Sequence, residues 1–191
     1  MISAIVLAAG ESKRMGQPKM LLPWGETTVL GQVISVLHAA GVEDIVTVTG
    51  GFREQVETVA MQFGSRVAYN EKFASNEMLS SIQCGLRSLQ AEASLICLGD
   101  QPQVQEGSVR RVRETFERSR SSLVVPSYRM RRGHPWLVAR PLWEEILQMK
   151  SPQSPRDFLN AHANEIEYVE VDNPSILQDL DTPEDYLKFK P

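Results

Sequence analysis

The chain has 191 residues, 42% of them hydrophobic and 23% charged, with a formal net charge of −4. That length and composition suit one globular domain with a sizeable core, and the acidic balance argues against a general nucleic-acid binder. No apolar stretch approaches the roughly 20 residues that span a bilayer, and the opening run is too short for a signal peptide, so a cytoplasmic protein without membrane contact is expected.

Strand-like and helix-like runs alternate along the chain. Residues Ile2–Ala8 read as a buried strand, and residues 28–40 as a helix with Val29, Val33, Val36 and Leu37 on one face. Gly41 stops that helix, Asp44–Thr49 forms the next strand, and Gly50-Gly51 turns the chain. A helix over 53–63 precedes a short strand, Arg66–Tyr69, and a third helix over 77–89 follows. Residues 95–98 are a fully apolar strand ending at Gly99-Asp100; Glu106–Ser119 is a helix and 123–126 another strand. This alternation predicts an α/β fold, a mostly parallel sheet with helices on both faces.

The last third is less regular and is expected to form a lobe over the sheet. A strand over 135–139 and a helix over 141–148 lead into a Pro-rich loop, 151–155, with Pro155 placed to begin a helix to about residue 163. Residues 165–171 alternate as a strand does, and Thr182-Pro183 reads as N-cap and first helical position of a final helix. No linker, repeat or low-complexity segment divides residues 1–191.

Cys84 and Cys97 lie in apolar surroundings without metal-ligand spacing and read as buried, reduced thiols. His38, His134 and His162 are scattered, which speaks against zinc.

The first nineteen residues carry the chemistry. The apolar strand ends in Ala8-Ala9-Gly10, and a polar loop with Lys13, Arg14 and Lys19 follows. Small residues let a ligand approach the main chain, and backbone N–H groups beside cations make a receptor for a polyphosphate. The loop lacks both G-x-x-x-x-G-K-[ST] and G-x-G-x-x-G, so it is neither a P-loop nor a dinucleotide fingerprint.

Gly10, Gly50 and Gly99-Asp100 all fall at carboxyl ends of strands, where open α/β sheets bind ligands. By position alone, Asp100 either caps the next turn or offers a carboxylate to Mg²⁺, a hard cation that bridges carboxylates to phosphates. The late cluster Asp179-Leu-Asp181-Thr-Pro-Glu-Asp185 is explained by helix capping, worth roughly 1 kcal/mol. Ser80 and Ser81, near a helix start, are caps or ligand contacts. Arg129, Arg131 and Arg132 form a basic run, either a solvated face or a receptor for a phosphorylated molecule.

The N-terminal pattern resembles L-A-A-G-x-S-x-R-M-G-x-P-K, the signature of nucleotidyltransferases that activate sugars, alcohols and cofactors. Leu7, Ala8, Ala9, Gly10, Ser12, Arg14, Met15, Gly16, Pro18 and Lys19 fill its fixed positions. The stretches Gly99-Asp-Gln-Pro102, Asp179-Leu-Asp-Thr-Pro-Glu-Asp-Tyr186 and Arg132-Gly-His-Pro135 are similar to motifs of the molybdenum cofactor cytidylyltransferase group, within the MobA-like NTP transferases. The resemblance implies a single-domain Rossmann-like nucleotidyltransferase fold. It assigns nucleotide binding to Leu7, Ala8, Ala9, Gly10, Ser80 and Ser81, catalytic contacts to Arg14 and Lys19, and Mg²⁺ to Asp100 and Asp181. Arg132 and His134 fall near the acceptor; Trp24, Trp136 and Trp143 read as packing residues, and Trp136 is the one to test for stacking on a pterin.

Ala9, in Ala-Ala-Gly, resembles enzymes that use CTP; relatives using GTP have Ala-Gly-Gly. The implied reaction moves CMP from CTP to the phosphate of a molybdopterin-type cofactor, with a molybdenum hydroxylase as partner. Two alternatives stand beside it: a transferase acting on a sugar or polyol phosphate, and a non-catalytic module that binds nucleotide or cofactor for delivery. The chain departs from the group in two places. Residues 76–82 replace Gly-Met-Ser-Ser-Ser, keeping Met78, Ser80 and Ser81, and Ser154-Pro-Arg156 replaces Gly-Ala-Arg.

Overall fold

The computed structural model describes residues 1–75 and 77–191; Asn76, the first residue of the departing 76–82 stretch, lies outside them. In chain order the elements are β1 (Ile2–Ala8), β2 (Pro23–Trp24), β3 (Thr27–Thr28), α1 (Val29–Ala39), β4 (Asp44–Thr49), α2 (Arg53–Gln62), β5 (Arg66–Tyr69), α3 (Met78–Arg87), β6 (Ala93–Leu98) and α4 (Glu106–Ser119). They continue as β7 (Leu123–Tyr128), β8 (Arg131–Arg132), β9 (Trp136–Ala139), α5 (Trp143–Gln148), α6 (Pro155–Ala161), β10 (Ile166–Glu170) and α7 (Pro183–Phe189).

The sheet runs β10-β7-β9-β6-β1-β4-β5, with β8 paired to β7. β1 lies in its middle because its apolar residues tolerate burial on both faces, and it pairs in parallel with β4 and β6. Alternate residues face two cores. Ala4, Val6 and Ala8 pack with Leu30, Ile34, Val56 and Val112 of α1, α2 and α4. Ile5 and Ala9 pack with Leu79, Ile82, Trp143 and Phe158 of α3, α5 and α6. Each fully buried Leu, Ile or Val contributes roughly 1.5–3 kcal/mol. A Cβ on Gly85 would stand 2.6 Å from Ile5 Cγ2, so that glycine lets α3 lie directly on β1.

The helix borders follow side-chain chemistry. Thr28 caps α1 by accepting from the Gly31 amide, and Gly41, at φ +81°, lets the chain leave it. Ser154 and Asp157 form a capping box at α6, with Pro155 as its first residue.

One expectation of the architecture needs correction. The last third does not lie over the sheet as a lobe: β9 is inserted between β6 and β7, and β10 extends the sheet beyond β7. β9 runs antiparallel to both neighbours, which restores β7 and β10 to the direction of β6. The hairpin β2–β3 and the short β8 went unread, because two-residue strands carry no periodicity. Cys84 is half-buried, Cys97 buried, and both are free thiols. Among the described residues, no helix is long and apolar enough to cross a membrane.

Candidate active site

Because β1, β4 and β6 are parallel, their carboxyl ends share one rim. Gly51 N donates to Ala9 O at 3.1 Å and Gly99 N to Leu7 O at 3.0 Å, which ties the loops after β4 and β6 to the first loop. Gly50 permits this approach, since a Cβ there would lie 2.6 Å from Ala9 O. Ala8 and Ala9 are buried and Leu7 half-buried, while Gly10 is exposed with open space over its Cα. Among the described residues, the amides of Gly10 to Arg14 meet no acceptor. Ser12, at φ 50°, bends the loop, and its hydroxyl accepts from Lys19 N at 3.1 Å. Met15 is 6% exposed in a small third core with Leu22, Trp24, Val29 and Leu180, which anchors the loop from below.

Lys19, Asp100 and Asp181 meet. The Lys19 ammonium donates to Asp100 and lies 3.4 Å from Asp181 Oδ1, and Arg14 pairs with the other oxygen of Asp181 at 3.0 Å. Lys19 and Asp100 are mostly buried, Asp181 less so, and Arg14 reaches into solvent. The late segment is fastened by Leu180 N donating to Asp100 O at 3.1 Å and by Gln101 Nε2 donating to Asp179 Oδ1 at 2.5 Å. Burial, with the like charge of Asp100, pushes the Asp179 carboxyl up. Asp179 and Gln101 stand in the two acidic motifs but were given no role from sequence; the capping reading of the late cluster hid the first.

A divalent cation fits here. Two carboxylates face one ammonium, so their oxygens converge, and carboxylate oxygen is the donor that hard cations prefer. Among the described residues, no group of three or more His, Cys, Asp or Glu residues is arranged to hold a metal. Two carboxylates with phosphate oxygens completing the shell is the usual Mg²⁺ arrangement.

Ser80 and Ser81 are buried at the start of α3, beside the core that contains Ala9. Asn70 donates to both hydroxyls, at 3.0 and 3.1 Å, and Ser80 donates to Glu77 O at 2.9 Å. The Ser80 hydroxyl is thus engaged within the chain.

A cleft of about 1170 Å³ opens between the β7–β9 region and α6, lined by Arg131, Arg132, His134, Arg156 and Tyr168 among others. One carbonyl links its His134 wall to the residue after Asp100: Ile176 O accepts from His134 N at 3.0 Å and from Gln101 Nε2 at 3.5 Å. Burial holds the His134 imidazole down at about 4, so it is neutral near pH 7. Trp136 is only 1% exposed and packs on Phe158, with ring centroids 6.3 Å apart, as a core residue does. Tyr168, 46% exposed on β10, is the aromatic ring the cleft presents.

Free amides, clustered cations and facing carboxylates on the rim of an α/β sheet suit an enzyme that handles a nucleoside triphosphate. The chain belongs to the MobA-like NTP transferase domain family, which matches residues 4–166, and is a nucleotidyltransferase by that membership. It is 29% identical over 193 residues to the molybdenum cofactor cytidylyltransferase of Escherichia coli (strain K12), covering 99% of this chain and 95% of that protein. It is 26% identical to the nicotine blue oxidoreductase of Paenarthrobacter nicotinovorans, covering 98% of this chain and 96% of that protein. The manganese complex of Rv0371c from Mycobacterium tuberculosis H37Rv has the same fold, with TM-score 0.80, 27% identity, and coverage of 99% of this chain and 97% of that one.

Proposed function

We propose that this chain transfers CMP from CTP to the phosphate of a molybdopterin-type cofactor and releases pyrophosphate, in the cytoplasm. The convergence of Lys19, Asp100 and Asp181 from distant parts of the chain carries the reading. The full-length likeness to a cytidylyltransferase favours cytidine.

Leu7 to Gly10 form the floor on which the nucleotide lies, with Ser80 and Ser81 beside it. The amides after Gly10 receive phosphate oxygens, and the Arg14 fork suits two-point contact with them. Asp100 and Asp181 hold Mg²⁺, which neutralises phosphate charge; a manganese-bound relative supports a divalent metal. Arg132 and His134 border the acceptor. An oxygen of the acceptor phosphate attacks the α-phosphorus, and the α–β bridging bond breaks, its electrons leaving with pyrophosphate. Positioning and charge neutralisation suffice for such a transfer. The nucleophile is already ionised near pH 7, so no general base is required.

The test is pyrophosphate release with Mg²⁺ and CTP or GTP, each paired with a molybdopterin-type cofactor or with a panel of sugar and polyol phosphates. Release with CTP and the cofactor is expected. Release only with a sugar or polyol phosphate would replace the acceptor. Nucleotide or cofactor binding without release from any pair would point to a delivery module and overturn the transferase reading.

A further inference from the structure

Arg132 is held in a way that a surface arginine has no need of. Its Nε donates to the Tyr168 hydroxyl at 2.8 Å and its Nη1 to Asn160 Oδ1 at 2.9 Å. The guanidinium carbon stands 5.7 Å from the Tyr168 ring centroid. Three elements converge to make this arrangement. Arg132 pairs with Ser127 in the β8–β7 ladder, Tyr168 pairs with Val125 in the β10–β7 ladder, and Asn160 comes from α6. Arg132 therefore reaches diagonally across β7 to its partners.

Both partners are neutral. Among the described residues, Arg132's side-chain partners are these two and no carboxylate, although Glu170 lines the same cleft. Two of the five guanidinium donors are used for fixing, and the rest keep the full charge for a ligand. A cation held by neutral acceptors is pre-organised without being neutralised, which is what an anion receptor requires. The Tyr168 ring adds an aromatic surface at the same place, nearly half of it exposed.

We propose that Tyr168 is a positioning residue for the acceptor: its hydroxyl, with Asn160, aims Arg132 at the acceptor's phosphate, and its ring supports the body of the molecule. The ligand class is a phosphomonoester carried on a flat or soft body. The proposal rests on the acceptor cleft of the proposed function but not on which phosphorylated molecule fills it.

The experiment compares the wild type with Tyr168→Phe, which keeps the ring and loses the hydroxyl, and Tyr168→Gln, which keeps an oxygen for Arg132 and loses the ring. For each protein, acceptor KM, CTP KM, kcat and the thermal midpoint are measured. Binding of the molybdopterin-type cofactor and the phosphate panel is titrated in parallel without nucleotide. Tyr168→Phe should raise acceptor KM and weaken acceptor binding about tenfold, the effect of one lost hydrogen bond to a charged group. CTP KM and kcat should stay within about twofold, since the nucleotide groups lie elsewhere. Tyr168→Gln should recover part of the phosphate affinity and lose the discrimination between flat-bodied and sugar phosphates. Unchanged acceptor constants in Tyr168→Phe would overturn the proposal. So would a fall in thermal midpoint with CTP KM and acceptor KM changed alike, the pattern of a purely structural staple, or a wild type that binds no phosphorylated compound. If acceptors bind but no transfer occurs, the transferase reading falls while the titration still reads Tyr168.

Discussion

Lys19 is the residue on which the site turns. Its amide is fixed by the Ser12 hydroxyl at 3.1 Å, which sets where its side chain leaves the loop, and its ammonium faces both Asp100 and Asp181. In the proposed reaction charge builds on the departing pyrophosphate, and a largely buried ammonium meets that charge more strongly than a solvated one would. Lys19→Ala should lower kcat by about 10²–10³, the usual cost of one such contact. Measured against CTP concentration, KM should move far less than kcat. A variant that keeps the parent kcat would show that Lys19 serves only to fasten Asp100 and Asp181. The separate positions of these three residues were legible from motif resemblance. Their meeting was expected from strand-end topology and from the one Mg²⁺ the resemblance gives Asp100 and Asp181; the sequence separations of 81 and 162 residues alone carry no distance information. Trp136 is a packing residue, as read, and does not offer its ring for stacking. An aromatic residue next to a Gly-His-Pro turn reads the same whether it faces the core or the cleft, and only β9's insertion between β6 and β7 settles which. Tyr168 was available from the alternation of its strand, since the position before buried Val169 points outward.

At the scale of elements, α7 works through its first turn. Thr182 accepts from Asp185 N at 3.2 Å and donates to Asp185 Oδ2 at 2.8 Å, and Asp185 accepts from Thr182 N at 2.9 Å. This reciprocal cap fixes the backbone beside Asp181. Farther along, Tyr186 donates to Pro23 O at 2.6 Å and packs near Trp24, so α7 grips the β2–β3 hairpin. Thr182→Ala removes the cap and should cost about 1 kcal/mol in urea unfolding. Because the loosened turn adjoins Asp181, the Mg²⁺ concentration for half-maximal activity should rise as well. A stability loss with an unchanged Mg²⁺ requirement would uncouple the cap from the metal site. Thr182-Pro183 was readable as a helix start because cap and first-position preferences are local chemistry. The hairpin at Arg129 and Met130 was not, because both adopt positive φ, at 49° and 65°, without the glycine or asparagine that announces such a turn. β9 was read as a strand, but its antiparallel direction was hidden, since it is apolar throughout and burial on both faces does not reveal direction.

For the whole molecule, two histidines set opposite slopes of stability against pH. His134 is held down at about 4 by burial, below the ordinary unfolded value of about 6.5. Its contribution is complete above the unfolded value and is lost as pH falls toward the folded one, because the unfolded chain takes up the proton first. At His162, burial pulls the imidazole down, and hydrogen bonds with Glu145 and Glu165 more than offset it, leaving the group raised. That contribution is complete below the unfolded value of about 6.5 and is lost as pH rises through the folded value. Asp157 and Asp185, held low by hydrogen bonding, and Asp44, which burial raises but Ser3 and the Arg66 cation together bring below its ordinary value, lose their contributions only in stronger acid, below their unfolded value of about 3.9. Asp179 is raised, so it favours the folded chain as pH falls and partly masks His134. The difference between wild type and His134→Asn isolates the histidine from that background. The thermal midpoint of the wild type, relative to the variant, should drop steadily from pH 6.5 to about 4, the interval between its two pKa values. A constant difference across that interval would mean that His134 titrates normally in the folded chain, and that the cleft wall it shares with Ile176 is open to water.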